Sequence, residues 1–266
     1  MDFAGHFHAE ARAFAAAVRR AGGAGGAPPV PSCPGWSVTD LVAHLGAVHR
    51  LVAHLIEERL TTPPDPADRS YLALPEHRPG WPASLEDGPH TGPLPAGLAD
   101  WFSEGAARLE ALFRERDPGE RVWSWSREQT VGFWLRIQTI EAAVHRWDAE
   151  RALGAPGPLD GELAAYAVGH ALEVMVPARR ARTPARPGSG ERYRFRRTDG
   201  PGVWAVRFDG DEQRVEDGQG PCDVELAGRA SDLALFLWQR VPGAALAEVE
   251  GERALVERFF ELVPPV

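Results

Sequence analysis

The stretch Arg136–Gly154, RIQTIEAAVHRWDAERALG, has helical spacing yet carries Glu141, His145 and Asp148 where an ordinary bundle helix would carry leucines. Residues four apart on a helix are separated by about 40° around its axis, and residues three or seven apart also share a face. Two carboxylates and an imidazole therefore project from one side. Gly154 and Pro156 end the segment, giving an expected helix over 131–153.

Working outward, other helical segments flank this one. Phe3, Phe7, Phe14 and Val18 form a stripe over 3–20 that stops at AGGAGGAPPVP. Ser37, with Asp40 three residues later, reads as an N-cap with a near capping box opening a second helix, whose apolar face is Leu41, Leu45, Val48, Val52 and Leu55. A third helix is expected over 96–116 and a fifth over 159–176. Together these make a helical bundle. Between the second and third helices, residues 61–96 are rich in proline and read as a long surface excursion, a length typical of lids and mobile segments.

The pattern changes after RRARTPARPGSGE. RYRFRR and VWAVRF alternate around TDGPG, a hairpin signal. CDVELAG and ALAEVEG read as strands, SDLALFLWQRV and RALVERFFELV as helices. The expected organisation is a helical bundle over 1–184 and a small α+β domain over 185–266.

Composition narrows the function. The 266 residues carry a net charge of −9, which disfavours a nucleic-acid partner, since that needs a basic face. All 29 basic residues are arginine, a mark of codon bias more than of chemistry. No apolar run reaches the length of a membrane span. The start MDFAGHFHAEARAF lacks the basic and apolar regions of a secretory leader. Cys33 and Cys222 are far apart and read as free thiols, so a cytoplasmic protein is expected.

Glu141 and His145, one turn apart, suit two ligands of one metal ion. Catalytic zinc is often held by two histidines and a glutamate with one position open. Of the histidines on the second helix, His44 shares the face of Leu41, Val48 and Leu51, whereas His49 points about 140° away from it. His44 is thus the third candidate ligand, provided the two helices pack side by side. The plainer reading is a solvated Glu–His ion pair and a core histidine, and spacing alone leaves both open. Asp148 could orient a ligand or receive a proton, or pair with an arginine. Arg136 reads as structural. Cys33, in PSCPGW, reads as part of a packed turn, and Trp36, Trp134 and Trp147 as core.

VPSCPGWSVTDLVAHLGAVHR together with WLRIQTIEAAVHRWDAERALG resembles the maleylpyruvate isomerase family of mycothiol-dependent actinobacterial enzymes. ELAGRASDLALFLWQR is more loosely similar to a stretch of that family's C-terminal domain. The resemblance implies a DinB-like four-helix bundle followed by a small α+β domain. It implies zinc, or another divalent metal, held at His44, Glu141 and His145. It also implies mycothiol as cofactor, and Arg240 as an arginine near the site that could bind a substrate carboxylate. Ile140 departs from the histidine that many relatives carry there. The implied activity is isomerisation or S-transfer, by a low-molecular-weight thiol, on a small electrophile. The protein would be a monomer or homodimer with no nucleic acid or membrane partner. The rivals are a non-catalytic binding or regulatory module on the same bundle, and a thiol-independent metal hydrolase.

Overall fold

The structure, a computed structural model, describes residues 1–23, 25–84 and 88–264. The chain forms two compact units, Met1–Gly157 and Pro158–Val266.

The first unit is built on α1 (Phe3–Gly22), α2 (Val38–Glu57), α3 (Leu98–Glu115) and α4 (Val131–Ala152). Each start has a local chemical cause. Asp2 caps α1 by accepting from the Gly5 amide, and Thr130 caps α4 by accepting from that of Phe133. Ser37 and Asp40 form the expected capping box, each side chain taking the other's backbone N–H. Gly97, at φ 76°, makes the left-handed turn into α3. α1 packs chiefly on α4 and α2 on α3, while α1–α3 and α2–α4 contacts close the four-helix ring. Phe14, Leu41, Leu45, Leu98 and Phe102 fill its interior.

The long 61–96 segment is the surface excursion its prolines suggest, tied to the bundle at several points; its residues 85–87 lie outside the described ones. It contains a 3₁₀ turn, Ser70–Leu72, whose Leu72 carbonyl accepts from the Trp101 indole at 3.0 Å. The Trp81 indole donates to the Ala96 carbonyl at 3.0 Å. His90 bonds Asp40 through both its amide and its ring, and Ala27 N–H reaches the Gly92 carbonyl at 2.8 Å. These ties involve a buried carboxylate and paired backbone groups, which proline counting does not reveal.

The second unit opens with α5 (Gly161–His170), a π-helical turn at Ala171–Met175, and α6 (Val176–Arg182). Its helices continue six residues beyond the 176 expected from the apolar pattern. The compact unit therefore begins ahead of the composition change near 185, because α5 packs on the later helix Ala230–Leu237 of the same unit. A mixed five-stranded sheet follows, in the order β3-β2-β1-β4-β5. Its strands are β1 (Gly188–Arg197), β2 (Val203–Gly210), β3 (Glu212–Glu216), β4 (Val224–Gly228) and β5 (Glu248–Gly251), with α7 (Ala230–Leu237) and α8 (Ala254–Leu262) completing the unit. β1 and β2 are the expected hairpin, with Arg194 opposite Ala205; β1 and β4 are parallel. Tyr193, Phe195, Phe208, Phe236 and Phe259 cluster on the covered face. β3 has no counterpart in the sequence reading. Its one apolar residue, Val215, is exposed, so the strand has no buried face to produce an alternating pattern.

The α2–α3 contact rests on a glycine. A β-carbon on Gly46 would run into the Trp101 indole, and that ring is fixed from its other sides by Arg50, 4.7 Å above it, and by Leu72. Gly46→Ala gains helix propensity of about 1 kcal/mol but overpacks a ring that cannot retreat. A net loss of ~1–3 kcal/mol is expected, read as a lower urea midpoint at unchanged m-value.

Candidate functional site

α4 supplies three of the site's side chains at the spacing its sequence dictates. Glu141 is half-buried, His145 is buried, and Asp148 is fully buried. His145 Nε2 lies 3.6 Å from Glu141 Oε2, and its Nδ1 lies 3.0 Å from Asp148 Oδ2. The ring thus turns Nδ1 to Asp148 and Nε2 to Glu141, a carboxylate on each side.

α2 brings His44 to the same place. Its ring centre is 5.4 Å from that of His145, edge-on at 79°, and 4.9 Å from that of Trp36 on the other side. Of the expected trio, His44 and Glu141 thus each neighbour His145. Trp134 and Trp147 are buried as expected, whereas Trp36 is only partly buried and packs on a site histidine. Ile140 is buried in the core. Arg136 pairs with Glu128 at 2.5 Å, the structural role expected of it.

Two features were invisible in the sequence. The turn before α2 reaches Asp148: Ser32 Oγ donates to its Oδ1 at 2.6 Å, and the Cys33 thiol to its Oδ2 at 3.5 Å. The only available hint was a hydroxyl ahead of Cys-Pro-Gly-Trp. The second is His49, wholly buried between Phe7 and Phe102, with ring centres 5.1 and 5.4 Å away. Neither of its nitrogens has a protein partner. Burial above all, then the nearby His145, His44 and Arg50 charges, lowers its pKa from 6.5 to about 3.

The donor chemistry suits a metal: two imidazoles and a carboxylate, with a second carboxylate behind one imidazole as bound histidines usually have. Two imidazoles on one zinc, at Zn–N of about 2.0–2.1 Å, set their ring centres roughly 5 Å apart, close to the spacing of His44 and His145. The side chains stop short of full convergence, however. Among the described residues no three His, Cys, Asp or Glu side chains are gathered tightly enough to hold an ion.

In the second unit, Arg240 sits in the turn after α7, partly buried, with Nη1 donating to the Trp238 carbonyl at 2.9 Å. No helix among the described residues is long and apolar enough to cross a membrane.

Comparison with known proteins follows these two units. Residues 7–150 match the mycothiol maleylpyruvate isomerase N-terminal domain. The chain belongs to that family. Residues 162–258 match the family's C-terminal domain, so the family boundary falls where the compact units divide. Two solved structures share the fold over nearly the whole length. A crystal structure of the mycothiol-dependent maleylpyruvate isomerase matches with a TM-score of 0.62 and 14% identity, covering 94% of this chain and 93% of that one. A histidine-to-alanine mutant of it gives a TM-score of 0.63 at the same identity and coverage. No curated protein sequence matches significantly. The expected fold, a helical bundle followed by a small α+β unit, is thereby established.

The buried His49 yields a pH dependence with a definite sign. Its folded pKa, about 3, lies below the ordinary 6.5, so below pH 6.5 the unfolded chain takes up a proton that the folded protein refuses. Stability is full above pH 6.5 and falls by about 1.4 kcal/mol per unit as pH drops toward 3. Urea unfolding of the native protein and His49→Leu at pH 7, 6 and 5 tests this. The native protein should lose stability relative to the variant at that slope below pH 6.5, with no relative change above it.

Proposed function

We propose that this protein is a mycothiol-dependent isomerase or S-transferase acting on a small conjugated electrophile, with zinc or a similar divalent ion held by His44, Glu141 and His145. The reading is supported by family membership and carried by one observation. His145 is clamped by Asp148 at Nδ1 while Nε2 is presented toward Glu141, beside the ring of His44. When bound, the metal would acidify a thiol, and the mycothiol thiol would add reversibly to a conjugated double bond, release after rotation giving isomerisation and retention giving S-transfer.

This chain's own residues do the remaining work. Asp148, against Nδ1, holds the His145 ring in orientation with Nε2 on the Glu141 side. Glu141 contributes negative charge, which offsets that of the cation. Trp36 packs against His44 and restricts its rotation. Arg240 is assigned to a carboxylate of the substrate, whose planar anion its guanidinium can hold by two parallel hydrogen bonds.

Elemental analysis of the purified protein tests the metal, expecting about one zinc per chain, lost in His44→Ala, Glu141→Ala and His145→Ala. Arg240→Ala should retain the metal and lose roughly 10–100-fold in kcat/KM on maleylpyruvate with mycothiol, mainly through KM. A native protein that takes up no zinc after reconstitution overturns the metal assignment. Zinc without thiol-dependent turnover on any conjugated acid overturns the activity.

A further inference from the structure

We infer a second binding site, within the Pro158–Val266 unit: a small cavity between α6 and the β2–β3 turn that takes a short α-amino acid as its zwitterion. The inference goes beyond the proposed function and does not rest on it.

The cavity, of about 230 Å³, is lined by Pro177, Arg180, Ala181, Asp211 and Gln213. Each wall has a local cause. Pro177 has no N–H, and in a regular helix its ring would press on the carbonyl four residues back; the π-helical turn stands immediately before it. There the Val176 N–H bonds the Ala171 carbonyl, five residues back, in place of that of Leu172. The Leu172 carbonyl is thereby open to Gln213, whose Nε2 donates to it at 3.1 Å. On the sheet side, Asp209 pairs with Glu212, so Gly210 and Asp211 are a two-residue turn with Gly210, at φ 57°, in its first position.

Arg180 ties the two walls together. Its Nη1 donates to the Leu262 and Arg186 carbonyls at 2.6 and 3.4 Å, and its Nη2 to the Gly210 carbonyl at 3.1 Å. These acceptors are neutral. Burial lowers the pKa of the guanidinium, and Asp211 opposes that through its charge alone. Of the five N–H donors of an arginine, one on Nη2 and the one on Nε remain, and Nε has no partner.

Arg180 and Asp211 thus face one cavity, near enough for their charges to interact but not paired. A molecule with an anion and a cation one carbon apart fits between them. Its carboxylate takes the remaining donors of Arg180. Its ammonium is met by Asp211 and by Gln213 Oε1, the Gln213 Nε2 being engaged with Leu172. Pro177 and Ala181 offer apolar surface to a side chain. The volume keeps that side chain short, since pockets for larger ligands begin at about 300 Å³.

The probe is L-alanine, set against propionate, which lacks the ammonium, and ethylamine, which lacks the carboxylate. ¹⁵N–¹H spectra of the labelled full chain are followed as each is added to about 50 mM at constant ionic strength, because so few atoms support a Kd on the order of 1–10 mM. Alanine is expected to shift the amides of Ala181, Gly210, Asp211 and Gln213 saturably. Propionate should bind roughly tenfold more weakly, and ethylamine not measurably. Asp211→Asn, on an exposed turn, should weaken alanine about tenfold and leave propionate unweakened, a split that general damage to the turn would not produce. Arg180→Gln should abolish both; since Arg180 also holds three carbonyls, Asp211→Asn carries the test if that variant does not fold. No saturable shift with alanine overturns the inference. So does propionate or ethylamine binding as well as alanine, or an Asp211→Asn protein that binds alanine as the native one does.

Discussion

Helix α4 is enclosed on almost every side, and most of the buried polar groups it carries are met by partners on α4 itself or on the elements around it. Of its residues, Gln138, Thr139, His145, Arg146 and Asp148 are all buried. Arg146 is met by Glu10 of α1 at 2.6 Å and by Glu150 at 2.7 Å. Burial pulls its pKa down, but those two carboxylates outweigh that and raise it. The Thr139 hydroxyl donates back to the Leu135 carbonyl at 2.7 Å, with the Phe3 carbonyl 3.2 Å away, and the Trp134 indole donates to the carbonyl of Trp123. A buried polar group left alone costs ~1–3 kcal/mol, and a buried charge stripped of its partner about 3–5 kcal/mol. Rotating or sliding α4 by one residue would break several of these bonds at once. The helix is consequently fixed by its polar groups as much as by its apolar ones, and the candidate site inherits that precision.

The start of α2 is over-determined in the same way. Asp40 serves its own capping box and at the same time receives the amide and ring of His90, while the Ser37 hydroxyl also reaches the His90 carbonyl at 2.7 Å. Hydrogen bonding holds the Asp40 carboxyl below its ordinary pKa, although burial works against it. One buried carboxylate thus starts a helix and ties down the proline-rich segment. The turn that precedes the helix can then be held in place to reach α4.

Much of this was legible in the sequence because it is local. Helices with a 3.6-residue stripe, the Ser37–Asp40 box and the hairpin around TDGPG follow from neighbours a few residues apart. Glu141, His145 and Asp148 share a face for the same reason, and His44 was selectable because α2 has one apolar side. What escaped was either non-local or unpatterned. The Ser32–Asp148 bond joins distant residues through small polar side chains of no distinctive spacing. β3 pairs through its backbone and buries no face of its own. The helical wheel turned His49 away from His44 correctly. It gave no sign that the His49 side of α2 is the more buried one, with His44, Val48 and Leu51 only half-buried, so that an imidazole there ends between two phenylalanines.

The small residues of the bundle explain how such a polar interior is accommodated. Ala142, Ala143 and Ala149 on α4 and Ala11, Ala15 and Ala17 on α1 are all buried. Side chains this short let two helices approach closely and surrender little rotamer freedom when buried. Close approach brings the Glu10 carboxylate within reach of Arg146 and locks α1 to α4. That rigidity in turn holds the other side of α4, where the imidazole and carboxylates meet α2. A leucine-filled core would satisfy the hydrophobic effect more fully, but it would leave no room for His145 and Asp148 to be placed and partnered. The alanines, the buried ion pair and the clamped histidine are therefore parts of one solution. Stability is drawn from helix contact and ionic pairing on one side of α4 so that polar chemistry can be held rigid on the other.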